Sequence, residues 1–203
     1  MGNNPLYLRS FIMTKRHVQL SASPTPNPNA VKFLPNMHFF ESGTIEFQKN
    51  NDNLDKSPLA KKLLEIDGID IVMVGFNFIS VTKSQEAEWE VLLEKIRDTI
   101  VSHLENDEKV IDLDYLEKVK AEKKESSSEI ESKIKEILDD EIRPAIAMDG
   151  GDVEFKSFVD GIVTLHLQGA CSTCPSSTMT LKMGIENRLK SEIPEVVEVV
   201  QEI

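Results

Sequence analysis

The chain has 203 residues, 23 of them basic and 35 acidic, for a net charge of −12. That length favours one or two domains, two slightly more than one, and a 40% hydrophobic fraction is enough to bury a core. The acidity argues against a nucleic-acid partner, no run approaches the roughly 20 apolar residues of a membrane-spanning helix, and two cysteines in one short motif are not a secreted disulfide scaffold.

Residues 1–20 are expected to be an N-terminal extension. The first 40 residues contain no Asp or Glu but carry Arg9, Lys15, Arg16 and Lys32. A basic, acid-free start is similar to an organelle transit peptide. It is equally compatible with an exposed tail in a bacterial protein, with Met13 as the native start. The expected compartment is therefore the bacterial cytoplasm, with the mitochondrial matrix as the alternative.

The fold class is expected to be α+β: two small mixed α/β domains joined by a charged linker. The first spans residues 21–112. It opens with Pro24, Pro26 and Pro28, which forbid a helix and leave an extended or turn conformation. Ala30 to Leu34 and Gly43 to Phe47 read as short strands. Ser57 caps a helix that has Pro58 in its first turn and Leu59, Leu63 and Leu64 on one face; Asp67-Gly68 ends it. Ile69 to Val74 and Phe76 to Val81 read as two strands around Gly75-Phe76-Asn77. A helix follows from about Gln85 to Leu104, where Trp89, Leu92, Leu93, Ile96, Ile100 and Leu104 form a 3.6-residue stripe.

Residues 113–129 are expected to form the linker. From Leu116 the sequence is charged, balanced and serine-ended, and its composition predicts a mobile segment with helix in its first half, or else a solvated helix face. The second domain, residues 130–203, has an expected order of α-β-β-α-β. Ile130, Ile134, Ile137, Leu138 and Ile142 mark an amphipathic helix that Ser128 or its neighbours cap and that Pro144 kinks or ends. Asp149-Gly150-Gly151-Asp152 predicts a turn. Val153 to Val159 and Ile162 to Leu167 alternate like strands, with the hairpin signal Asp160-Gly161 between them. A helix carrying Leu181, Ile185 and Leu189 runs to Ile193-Pro194, and Val196 to Val200 reads as a last strand.

Between the hairpin and that helix lie Cys171 and Cys174, in a CxxC motif. The unpaired N–H groups and dipole of a helix N-terminus stabilise thiolate, the form that binds metal or attacks disulfides. A structural zinc or a cubane cluster takes four ligands, and the chain has two cysteines. His166 is the nearest candidate for a third ligand. It alternates with Val163, Leu165 and Leu167, however, and so points away from their apolar face as a solvated strand histidine. For a metal site, the missing ligands are therefore expected from a second copy, a homodimer bringing four sulfurs to one symmetric point. Three chemistries stay open on these residues: a cluster shared by two chains, a zinc-bridged dimer, and a dithiol oxidoreductase. The last fits the local context but not the surrounding order, since a thioredoxin-like core would place a βαβ unit ahead of the motif.

The segments Met148-Asp149-Gly150-Gly151-Asp152-Val153, Gly161-Ile162-Val163 and Leu167-Gln168-Gly169-Ala170-Cys171-Ser172-Thr173-Cys174-Pro175-Ser176-Ser177 closely resemble the C-terminal domain of NifU-like proteins. Thr25-Pro26-Asn27-Pro28-Asn29-Ala30-Val31-Lys32-Phe33, with Ser57 to Ala60 and Gly75 to Val81, resembles the N-terminal domain of the Nfu scaffold proteins. The resemblance implies a non-enzymatic iron–sulfur cluster carrier that acts late in cluster assembly. It implies a [4Fe–4S] cluster held between two chains on Cys171 and Cys174, upstream cluster-assembly proteins as donors, and client apoproteins such as lipoyl synthase as acceptors. It implies no ligand in the N-terminal domain.

Overall fold

In the computed structural model, residues 16–50, 52–122, 128–173 and 175–202 are described. The architecture is mixed α/β with two sheets, and two clusters of buried apolar side chains are formed among these residues.

The first sheet contains β1 (Leu20–Pro24), β2 (Ala30–Pro35), β3 (Thr44–Gln48), β4 (Ile69–Gly75) and β5 (Ile79–Lys83). Their order is β1-β2-β5-β4-β3, and the pairs are antiparallel. The proline-rich opening thus contributes β1, and it does so at an edge, where a missing N–H costs no ladder bond. The second half of the hairpin starts later than its apolar run: Phe76 and Asn77 belong to the turn, and β5 begins at Ile79.

Two helices cover one face of this sheet. In α1 (Pro58–Leu64) the Ser57 hydroxyl accepts from the N–H of Ala60 at 3.1 Å, and Leu59, Leu63 and Leu64 are buried. In α2 (Trp89–Glu105) the buried stripe is Leu92, Ile96, Ile100 and Leu104. Its start is four residues later than the expected Gln85. There the Trp89 indole donates to the carbonyl of Pro28 at 2.9 Å, tying the first turn to the loop after β1. Within the expected linker, α3 (Leu113–Glu122) buries Leu116 in the same core as Val72 and Ile96, with Tyr115 and Val119 beside it. Residues 123–127 of that linker lie outside the described residues.

The second unit opens with α4 (Glu129–Ile137), held by a capping box. The Ser128 hydroxyl accepts from the N–H of Glu131, and the Glu131 carboxylate accepts from the N–H of Ser128; such a cap is worth about 1 kcal/mol. The helix neither stops nor breaks at Pro144. A π turn over Leu138–Ile142 precedes α5 (Arg143–Met148), which carries Pro144 in its first turn. The wider turn accommodates a residue that has no N–H and whose ring crowds the carbonyl four residues back. Arg188 then clamps this turn by a bidentate pair with Glu141 at 2.6 and 2.7 Å. The strands β6 (Gly151–Val159) and β7 (Ile162–Gly169) form the hairpin, α6 (Pro175–Glu192) crosses over, and β8 (Glu198–Gln201) pairs parallel to β7.

A titratable imidazole lies inside the first unit. His103 is buried, its Nε2 bonds the carbonyl of Lys109 at 3.0 Å, and its Nδ1 has no hydrogen-bond partner. Burial holds its pKa below the ordinary imidazole value, although the Lys109 carbonyl and Glu108 pull the other way. A folded-state pKa below the unfolded one means that stability is lost as pH falls through about 6.5. The thermal midpoint is therefore expected to drop between pH 7.5 and 5.5, and His103→Gln to flatten that drop; an unchanged slope in the variant would contradict the assignment. The Lys62 partner holds the Glu108 carboxyl low, so its own contribution is lost only below about pH 4.5.

Candidate functional site

β7 ends at Gly169 and α6 begins at Pro175, and Cys171 lies on the loop between them. Gly169 has φ +63°, a conformation that a side chain resists, and it turns the chain out of the strand. The loop is then closed on itself: the N–H of Ser172 and its hydroxyl both donate to the carbonyl of Gly169, at 3.2 and 2.8 Å.

The expected Asp149–Asp152 turn is shorter, with Gly151 and Asp152 already in β6, and this segment packs directly behind the loop. Gly151 pairs with Gly169 across the hairpin, and the N–H of Ala170 donates to the carbonyl of Gly150 at 3.1 Å. A Cβ built on Gly151 would overlap Cys171 Sγ. The second glycine of the turn is thus required by the thiol itself, which touches bare backbone. Asp152 is buried, and its carboxylate accepts from the N–H of Val153 at 2.7 Å and from the Thr44 hydroxyl, with Arg143 3.6 Å away. The turn therefore supports the cysteine loop instead of offering oxygens to a metal.

Cys171 is only 4% exposed and packs in the cluster that includes Ile146, Val153 and Leu167. It lines a cavity of about 380 Å³ together with Ile146, Leu181, Pro26 and Asn27. Cys174, the other expected ligand, lies outside the described residues. His166 is half-buried on β7, on the face opposite the buried Val163, Leu165 and Leu167. Among the described residues, no three His, Cys, Asp or Glu side chains are grouped in a way that could hold a metal ion.

The sequence reading gave no role to Asn27 or Glu46, yet both reach the loop. Asn27 is 1% exposed; its Nδ2 donates to the carbonyl of Ala170 at 2.8 Å and to Thr173 Oγ1 at 2.9 Å. The Glu46 carboxylate accepts from the N–H of Gly169 at 2.5 Å. The only sequence-level signal for Asn27 was the proline-flanked turn in which it sits. Glu46 gave none, as an acidic residue on an edge strand.

Comparison with known proteins matches both parts of the chain. The family model described as a NifU-like domain covers residues 134–200, and that described as the scaffold protein Nfu/NifU N terminal covers residues 20–107. A NifU-like protein of Schizosaccharomyces pombe is 42% identical over 191 residues, 92% of this chain and 73% of that protein. The Homo sapiens protein named NFU1 iron-sulfur cluster scaffold homolog, mitochondrial, is 41% identical over 189 residues, again 92% of this chain and 73% of its own length. The solution structure of a NifU-like protein from Saccharomyces cerevisiae covers 55% of this chain and 98% of its own, at 27% identity and a TM-score of 0.44.

The Gly151–Cys171 contact is open to a double-mutant cycle. Gly151→Ala is expected to destabilise the chain by about 1–3 kcal/mol in chemical denaturation, the usual cost of overpacking. Part of that loss should disappear in the Cys171→Ala background, where the sulfur is gone and the Cβ, 2.9 Å from the added methyl, remains. Losses that simply add would show that the two residues do not touch.

Proposed function

The chain belongs to the NifU-like Nfu scaffold family, and from that premise we propose that it is a carrier for an iron–sulfur cluster, with Cys171 and Cys174 as the ligands. The cluster is cargo: it is received from upstream assembly proteins and handed to client apoproteins, of which lipoyl synthase is an example. The chain itself turns over no substrate.

The observation that most supports this proposal is the setting of Cys171, a thiol on a strand-to-helix loop whose support is bare backbone. Soft thiolate suits iron–sulfur clusters. With two cysteines in the whole chain, a four-ligand [4Fe–4S] cluster is completed by the same pair from a second copy, which makes the loaded form a homodimer. In the domain arrangement proposed here, residues 21–112 form the Nfu N-terminal domain, residues 130–203 carry the cysteine loop, the CxxC lies between the hairpin and α6, and residues 113–129 join the two domains.

Transfer follows from thiolate exchange. A client cysteine loses its proton and bonds one iron as Cys171 or Cys174 leaves that iron and takes up a proton. Iron–thiolate bonds are thereby exchanged one at a time, and the charge of the cluster is unchanged. Four ligands from two loosely joined chains make each step reversible.

No helix among the described residues is long and apolar enough to cross a membrane. The mitochondrial label of the human and Drosophila relatives favours the matrix, with client enzymes there, over the bacterial cytoplasm.

Anaerobic reconstitution tests the proposal. The full chain is expected to bind iron and sulfide at about four each per two chains. Cys171→Ser and Cys174→Ser should each lose the bound iron and the transfer of a cluster to an apo acceptor. A single-cysteine variant that keeps its iron, or a wild-type protein that takes up zinc and no sulfide, would overturn it.

A further inference from the structure

The five-stranded sheet has two faces, and only one of them meets its helices. On β4 and β5 the side chains of Val72, Val74, Ile79 and Val81 point into the core shared with α1 and α2. Those that alternate with them point the other way. Met73 and Ser80 on that outer face are nonetheless 0% and 1% exposed. They are covered by the cysteine loop and the turn behind it. A Cβ on Gly169 would lie 2.6 Å from Met73 Cε, and one on Gly150 would lie 3.1 Å from Ser80 Oγ. Glycine at both positions lets the backbone of the second unit rest directly on the sheet of the first.

The hydrogen bonds across this contact follow the loop residue by residue. Glu46 holds the N–H of Gly169, Asn27 holds the carbonyl of Ala170 and the hydroxyl of Thr173, and Thr44 holds Asp152. Lys32 Nζ donates to the carbonyl of Ala147 at 2.6 Å. The Ser80 hydroxyl, by contrast, is buried with no partner, which costs free energy. A contact made of hydrogen bonds, bare glycine and an unsatisfied hydroxyl has the character of a reversible interface between domains.

We propose that the outer face of the five-stranded sheet is a docking surface for the cysteine loop of the same chain, and that the docked form is a resting state closed to a second copy. Asn27 is its latch. It spans Ala170 and Thr173 on either side of Cys171, whose sulfur a second chain would have to approach to share a cluster. The resting-state role rests on the ligand role proposed above for Cys171; the docking surface does not. Loading then requires the loop to leave the sheet, and the first unit serves as an internal competitor of the dimer.

Asn27→Asp separates latch from turn. Asn27 Oδ1 accepts the N–H of Asn29 at 2.9 Å, and a carboxylate keeps that bond. It places an acceptor against the Ala170 carbonyl where a donor stood, so that bond is lost, while the Thr173 hydroxyl can turn to donate to the carboxylate. The experiment uses the full, reduced, metal-free chain carrying Cys174→Ser, so that alkylation by N-ethylmaleimide reports on Cys171 alone. Asn27→Asp is expected to speed alkylation roughly tenfold, as expected for loss of one buried hydrogen bond, and to raise amide hydrogen exchange at residues 169–173. Glu46→Gln, which weakens the bond to Gly169 without changing shape, should act in the same direction and serves if the first variant does not fold. Equal alkylation rates in the parent and in the folded variants would overturn the docking surface. Faster alkylation together with a wild-type chain that binds no iron would keep the surface and overturn the cluster role.

Discussion

The thiol of Cys171 lies against the bare backbone of Gly151, and the rest of the site is arranged around that contact. It requires a turn without side chains behind the loop, hence Gly150-Gly151. It requires the chain to leave β7 sharply, hence the positive φ of Gly169. The segment is also held from outside, since the Asp152 carboxylate accepts from the Thr44 hydroxyl as well as from the N–H of Val153. Each of these residues serves the position of a sulfur, and none of them supplies a further donor.

That economy of donors separates a carrier from an enzyme with a resident cluster. A resident cluster is held by a complete set of protein ligands in one fold. In the proposed carrier role, the two thiols of one CxxC motif bind only half as many irons as a cubane presents, and the other half is assigned to a second molecule. On the same proposal the incompleteness makes the cargo removable, since a client thiolate competes with only two ligands from each chain. The hydrogen bonds of Asn27 and Glu46 to the loop fit this economy, because they engage backbone and hydroxyl groups and add no ligand beside the sulfur.

Much of the architecture was legible in the sequence, for local physical reasons. Ser57-Pro58 and Ser128 mark helix starts because a cap needs an oxygen, and a first turn tolerates proline. Asp160-Gly161 marks the hairpin because both residues take positive φ, +52° and +82°. Long-range effects were not legible. Pro144 reads as a kink or stop, and a π turn directly ahead of it joins α4 to α5. Leu116 reads as part of a charged linker, since its few apolar residues among Glu and Lys make too short a pattern, yet it is buried. The unbroken run Ile71 to Val74 carried a clue that alternation does not: a strand buried on both faces shows no polar side. Its second face is covered by Gly169, far away in sequence. For the candidate site, the strand, loop and helix around Cys171 could be read locally, whereas Asn27 and Glu46 approach from more than 120 residues away.

The central claim, a cluster shared by two chains through one loop from each, is tested most directly by native mass spectrometry of the anaerobically reconstituted full-length protein. A species with the mass of two chains plus one Fe₄S₄ unit is expected, collapsing to single chains when the cluster is removed. A single chain bearing the whole cluster, or a dimer whose added mass is one zinc, would contradict it.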